Sequence, residues 1–187
     1  MLKRRSAAIP KKIIRRPMSA GLSTGQVMSL YRAHASKYLT GKAPVTISQQ
    51  RVVIGTDNTW SNAQAIDRDP AWVAVEGARY VWGARNLSGS NCIISRRFTL
   101  SARRSILSGS LFLSVDNYAV ILINGFIVQF DNPQNTPSNF TVGRTFNIRR
   151  FLRRGVNDIV IIAFNFGGDR TQSNPAGVAA RLNIRLS

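Results

Sequence analysis

The sequence predicts an all-β, antiparallel sandwich that carries a basic N-terminal arm and one short helix. Three observations predict it. Leu111, Leu113 and Val115 alternate with Phe112 and Ser114, the period of a strand with one buried face. Asn124-Gly125 stands between two runs of β-branched and aromatic residues, 118–123 and 126–130. That is a strong hairpin signal, because a type I′ turn needs φ > 0 at both central residues. Residues 1–51 hold 11 basic residues and no acidic one, whereas 52–187 hold 15 basic and all 8 acidic residues. The first stretch is therefore an appendage of different composition.

A chain of 187 residues allows one sizeable domain plus such an appendage. The net charge of +18 points to polyanions or acidic protein surfaces as partners. The single cysteine, Cys92, excludes an internal disulfide and reads as a small core residue. No apolar run is long enough to span a bilayer. The basic N-terminus lacks an apolar segment, so it does not read as a secretory signal peptide.

The expected organisation is an arm over 1–50 and a sandwich over 51–187. Lys3, Arg4, Arg5, Lys11, Lys12, Arg15 and Arg16 form three basic clusters around Pro10 and Pro17. Proline and like-charge repulsion oppose a continuous helix there. The segment reads as a tether to nucleic acid or to an acidic neighbour, as a solvated tail, or as an organellar transit peptide. Ser23 or Thr24 can cap a helix over about 24–39, with Val27, Leu30, Tyr31, Ala35 and Tyr38 on one face. So short a helix needs a surface to pack on, either its own sandwich or a neighbouring subunit. We take Val27, Leu30, Tyr31 and Tyr38 as a partner-packing face. His34, the sole histidine, reads as structural.

Residues 40–50 read as a polar linker, and 51–54 as the first strand. Residues 57–79, with Trp60 and Trp72, read as a long loop folded over a sheet. Strands follow at 80–82 and 91–100, and a single turn at 144–154 precedes a corner at Gly155. The run 158–165 is apolar on both faces, as a central strand should be. The closing strand, 177–186, sets Val178, Ala180, Leu182, Ile184 and Leu186 against Arg181 and Arg185.

Three segments resemble a known family: 109–117 ending in Asp116-Asn117, Ile123-Asn124-Gly125, and the corner Leu152-Arg-Arg-Gly155-Val-Asn157 before a long apolar strand. Together they are similar to the galactose-binding-like jelly-roll sandwich, in the version found as the sugar-binding domain of family 2 glycoside hydrolases. The likeness covers about 52–187. It implies the fold, and it implies a sugar site in loops at one end, where Trp60, Trp72, Asn86 and Asp169 are the candidates. It also implies a structural calcium near the first loop, with Asp57, Asn58 and Asp67 as candidates. The residues themselves show no dense oxygen-ligand motif, so no metal and no cofactor is expected.

No catalytic constellation is visible. Glu76 is the only glutamate, the aspartates are scattered, and one histidine cannot build a histidine-based metal site. The chain is expected not to be an enzyme. A basic arm, a short helix and a β-sandwich resemble the architecture of a virion structural protein. The leading expectation is a minor capsid, cement or penton-type component, located in the virion, assembled in the host cytoplasm or nucleus, and contacting other capsid proteins or the genome. Deleting residues 1–40 is then expected to leave a folded, assembly-incompetent body. The alternatives are a carbohydrate-binding module and a nonspecific nucleic-acid-binding protein. For the last, Arg103, Arg104, Arg149, Arg150, Arg153 and Arg154 fall in loops or turns and are able to cluster.

Overall fold

The computed structural model describes residues 22–40, 44–47, 49–131 and 139–187, with side chains left aside for 45–47. The basic clusters of Lys3, Arg4, Arg5, Lys11, Lys12, Arg15 and Arg16 lie outside the described residues. In chain order the elements are α1 (Thr24–Tyr38), β1 (Val45–Ile47), β2 (Arg51–Gly55), β3 (Ala63–Ala65), β4 (Val81–Gly83), β5 (Asn91–Leu100), β6 (Ile106–Asp116), β7 (Tyr118–Ile123), β8 (Phe126–Phe130), β9 (Arg144–Asn147), a 3-10 turn (Arg149–Phe151), β10 (Gly155–Phe164) and β11 (Gly177–Leu186).

The strands form two sheets, ordered β1-β5-β10-β7-β8 and β3-β4-β11-β6-β9, with β2 also paired to β11. Pairing is antiparallel throughout, apart from the parallel β1–β5 contact. The fold is thus the all-β sandwich that the alternation predicts. Its main core lies between the sheets, where Trp60, Trp82, Phe98, Leu111, Leu113 and Ile161 are buried together. Two further layers cover the outside. α1 lies on the five-stranded sheet, and Trp72, Val75 and Tyr80 from the loop before β4 lie on the six-stranded one against Ala179 and Phe112.

This layering explains the apolar run of β10. Ile159, Ile161 and Ala163 face the inter-sheet core, while Val160, Ile162 and Phe164 face α1. A strand buried on both faces has no reason to alternate. The corner motif also has a physical account. Asn124 and Gly125 take φ of 52° and 81°, the left-handed pair a tight β7–β8 hairpin requires. The Asn124 amide donates to the Phe151 carbonyl at 2.8 Å and to Asn157 Oδ1 at 2.9 Å, and its oxygen accepts from the Asp158 amide at 3.0 Å. Asn157 is fully buried, accepts from the Arg153 amide at 2.9 Å, and donates to the carbonyls of Arg153 and Gly155. The asparagines therefore stitch the hairpin to the corner.

The chain departs from the sequence-based expectation in several places, among them β3 within the stretch read as a loop and β9 within the one read as a turn. Asp116-Asn117, whose Asx residues read as a turn, leads from one sheet to the other, because β6 and β7 belong to different sheets. It is a crossing between sheets, through a cis peptide bond. The stretch read as a linker supplies β1, which pairs with β5 from Val45↔Phe98 to Ile47↔Leu100. The helix face taken as partner-packing is seated on the chain's own sandwich. Val27 is 0% exposed, and Leu30 and Tyr31 pack with it against Val120, Leu122, Val160 and Ile162. Those β7 and β10 residues need a cover, and α1 is the nearest apolar face in the chain.

Candidate functional site

α1 starts with a capping box. Ser23 Oγ accepts from the Gln26 amide at 3.3 Å, and Gln26 Oε1 accepts from the Ser23 amide at 2.8 Å. Two polar contacts then fix the helix on the sheet. The Tyr31 hydroxyl donates to Asp158 at 3.0 Å, and His34 Nε2 meets Ser95 Oγ at 2.8 Å. Burial, with Asp158 adding to it, pushes the Tyr31 phenol up to about 12. Burial, with Lys37 adding to it, holds the His34 imidazole down at about 4, so it is neutral at pH 7. The structural reading of His34 matches this geometry.

The other titratable groups serve the fold. Asp116 is buried and accepts from Trp72 Nε1 at 3.0 Å; burial raises its carboxyl. Asp131 accepts from the Ala119 amide and pairs with Arg144 at 2.5 Å. Burial pushes the Cys92 thiol up, away from nucleophilic chemistry. Among the described residues no group of three or more His, Cys, Asp or Glu is placed to hold a metal ion. Asp57 and Asn58, the calcium candidates that the resemblance implied, cap their own loop. Asp57 accepts from the Thr59 amide, and Asn58 accepts from the Ala65 amide. Asp67 is exposed.

The glycan candidates do not converge. Trp60 is 2% exposed in the main core and donates to the Gly55 carbonyl. Trp72 is 3% exposed on the far side of the six-stranded sheet. Neither offers a ring face to a sugar, because both rings fill the space the sheets leave. Asp169 is exposed, in the loop after β10.

Two open regions stand out among the described residues. One is a pocket of about 320 Å³ between α1 and the β4–β5 turn, lined by His34, Lys37, Tyr38, Asn62, Arg85 and Asn91 among others. Lys37 and Arg85 stand 5.6 and 5.3 Å from the centre of the Tyr38 ring, and His34 stacks on that ring at 4.5 Å. Asn62 donates to the Ile93 carbonyl, which leaves its oxygen buried without a donor. Tyr38, taken as a partner contact, is thus a wall of this pocket. Sequence reading missed the pocket because only the docking of α1 brings residues 34–38 to residues 62–91.

The second region is the end of the sandwich where β5 hands over to β6. An open groove of about 680 Å³ lies there, lined by Ile106, Asn147, Arg149, Arg150 and Leu152. Arg149 and Arg150 line it, and Arg104 and Arg154 reach the neighbouring Ser187 and Ser105. Arg104 donates to the main-chain oxygen of Ser187, and Arg149 to the Ile106 carbonyl at 3.1 Å. Arg154 donates to Ser105 Oγ at 3.1 Å, Arg153 to the Val156 carbonyl at 2.8 Å, and Arg150 stacks 4.6 Å over Phe151. Arg96 and Arg97 do not join them. Adjacent residues of a strand face opposite ways, and these two reach Thr59 and Leu39 respectively.

No family model matches the chain, and no curated protein does. Among solved structures it is similar to a Streptomyces avermitilis α-L-rhamnosidase, with 17% identity and a TM-score of 0.47 over 68% of this chain and 13% of that one. It is also similar to a family 35 carbohydrate-binding module from an environmental isolate, with 15% identity and a TM-score of 0.41 over 72% and 92%. A β-glucuronidase from an uncultured Clostridium sp. shares 13% identity and a TM-score of 0.43 over 77% and 30%. The chain therefore spans only a small part of either glycosidase.

Proposed function

We propose that the chain is a non-catalytic anchoring protein of a large assembly, a sandwich body with a cationic tether fixed to its side. The setting that suits it is a virion, with the chain as a minor capsid, cement or penton-type component among other capsid proteins. One observation carries the reading. The segment 1–21 holds seven basic residues and no acidic one, and it leads directly into a capped helix pinned to the body by Tyr31 and His34. A tether transmits load only if its root is fixed, and α1 fixes it. The test is sedimentation and mass spectrometry of the native particle. Co-migration in a megadalton shell supports the reading; a free monomer overturns it.

Carbohydrate binding is the second reading. It is what the name of the family 35 module says of that protein. On this chain the pocket beside α1 favours it, since Asn62, Asn86 and Asn91 all line one cavity. A glycan array run with the full chain and with Asn62→Ala and Asn91→Ala checks it: binding lost in both variants is the supporting result.

A further inference from the structure

We propose that the arginine-rich end of the sandwich is a binding surface for the phosphodiester backbone of nucleic acid, separate from the arm. Strand pairing enlarges the cluster beyond the six loop arginines. Arg51 on β2 lies directly opposite Arg185 on β11, and Arg185 lies opposite Ser108 on β6. Leu186 and Ser187 then bond to Gln50 and Ser105, which brings this pair to the rim that holds Arg103 and Arg104. Arg51, Arg103, Arg149, Arg150, Arg153, Arg154 and Arg185 are exposed, and Arg104 is half-buried.

Like charges directly opposite each other in a sheet destabilise it, so the Arg51–Arg185 pair calls for a counter-charge. Among the described residues no arginine of this end is in an ion pair. Among the described residues the ion pairs are Arg144–Asp131 and Arg181–Glu76, and both lie elsewhere. Arg149, Arg153 and Arg154 instead bond main-chain carbonyls and Ser105, contacts that aim the guanidinium groups without neutralising them. Asp158, the nearest acid along the chain, bonds Tyr31 and is a single carboxylate beside eight arginines. A bare guanidinium fork suits phosphate oxygens, and several in series suit a linear polyanion rather than a single ion. Phe151, the aromatic ring at the groove, already lies under Arg150. No other ring among the described residues lining the groove is offered for base stacking, so contact is to backbone and carries no sequence preference.

The test uses the full chain and a mixed-sequence single-stranded oligonucleotide, titrated at several salt concentrations. One variant carries Arg103, Arg150, Arg153 and Arg154 changed to Gln. A control loses the same charge elsewhere, at Arg32, Lys37, Arg79 and Arg85. A third variant has Gln at the seven basic positions of 1–21. Near-UV circular dichroism checks that each is folded. The end variant is expected to bind at least tenfold more weakly at near-physiological salt. Its salt slope should fall by roughly 0.7 per phosphate contact removed, about 3 in all, while the control shifts less than twofold. Equal loss in the end variant and the control overturns the site. So does an end variant that binds like wild type while the arm variant loses binding, an outcome that leaves the tether reading standing. A wild-type chain that binds no oligonucleotide at low salt but does bind an acidic polypeptide also overturns it. Loss confined to the end variant supports the site and removes nucleic acid as the partner of the arm.

Discussion

His34 is neutral because it is buried against Ser95 with Lys37 on the same helix. The unfolded chain takes up the imidazole proton near pH 6.5, and the folded chain only near 4. Falling pH therefore favours unfolding across that window, by up to about 3 kcal/mol, and stability above it is unaffected by this group. Thermal melts from pH 7 to 4 should show the loss, and His34→Gln should flatten the difference. Trp72 is a second residue with a defined cost. Trp72→Phe leaves Asp116 buried without its indole donor, and urea unfolding should register a loss of about 1–3 kcal/mol. Sequence reads the two residues differently. A lone histidine with no second ligand nearby reads as structural. Nothing local says that Trp72, in a loop, will reach Asp116 at the end of β6, because the bond spans 44 positions.

At the scale of elements, periodicity and turn chemistry did most of the work. The Asn124-Gly125 hairpin, the two-faced β10 and the single turn before Gly155 are all visible in the residues, since each depends on local φ preference or on burial pattern. The crossing at Asp116-Asn117 was not visible. A turn signal records backbone angles, not the sheet that the next strand joins. The hairpin-to-corner stitch predicts that Asn157→Ala costs about 3 kcal/mol or more, as the Arg153 and Gly155 groups lose their partner inside the fold. The seat of α1 makes an independent prediction. Val27→Asp buries a charge among Val120, Leu122 and Val160 and should lift the helix. Ultraviolet titration should then find the Tyr31 phenol moving from about 12 toward its ordinary value, with faster hydrogen exchange over 22–40.

For the whole molecule, composition announced the charge but not its geography. A net +18 with an acid-free first quarter was readable at once. Which arginines meet depends on tertiary closure: β2 on β11, the chain end on the β5–β6 turn, and the 3-10 turn beside Ile106. The body and its tether should separate cleanly in function. Removing residues 1–21 should leave the melting temperature unchanged, because the capped start of α1 at Ser23 remains. Co-sedimentation with the native particle should be lost.

The seat of α1 also sets where this chain can be cut. A protease trimming from the N-terminus should stall close to Leu22, which packs against the sheet cluster. The deletion of residues 1–40, expected from sequence to leave a sound body, goes one helix too far. It strips the cover from Val120, Leu122, Val160, Ile162 and Phe164 and opens a contiguous oily face to water. Such a shortened protein should precipitate or pair through that face, and its failure to assemble would say nothing about the basic head.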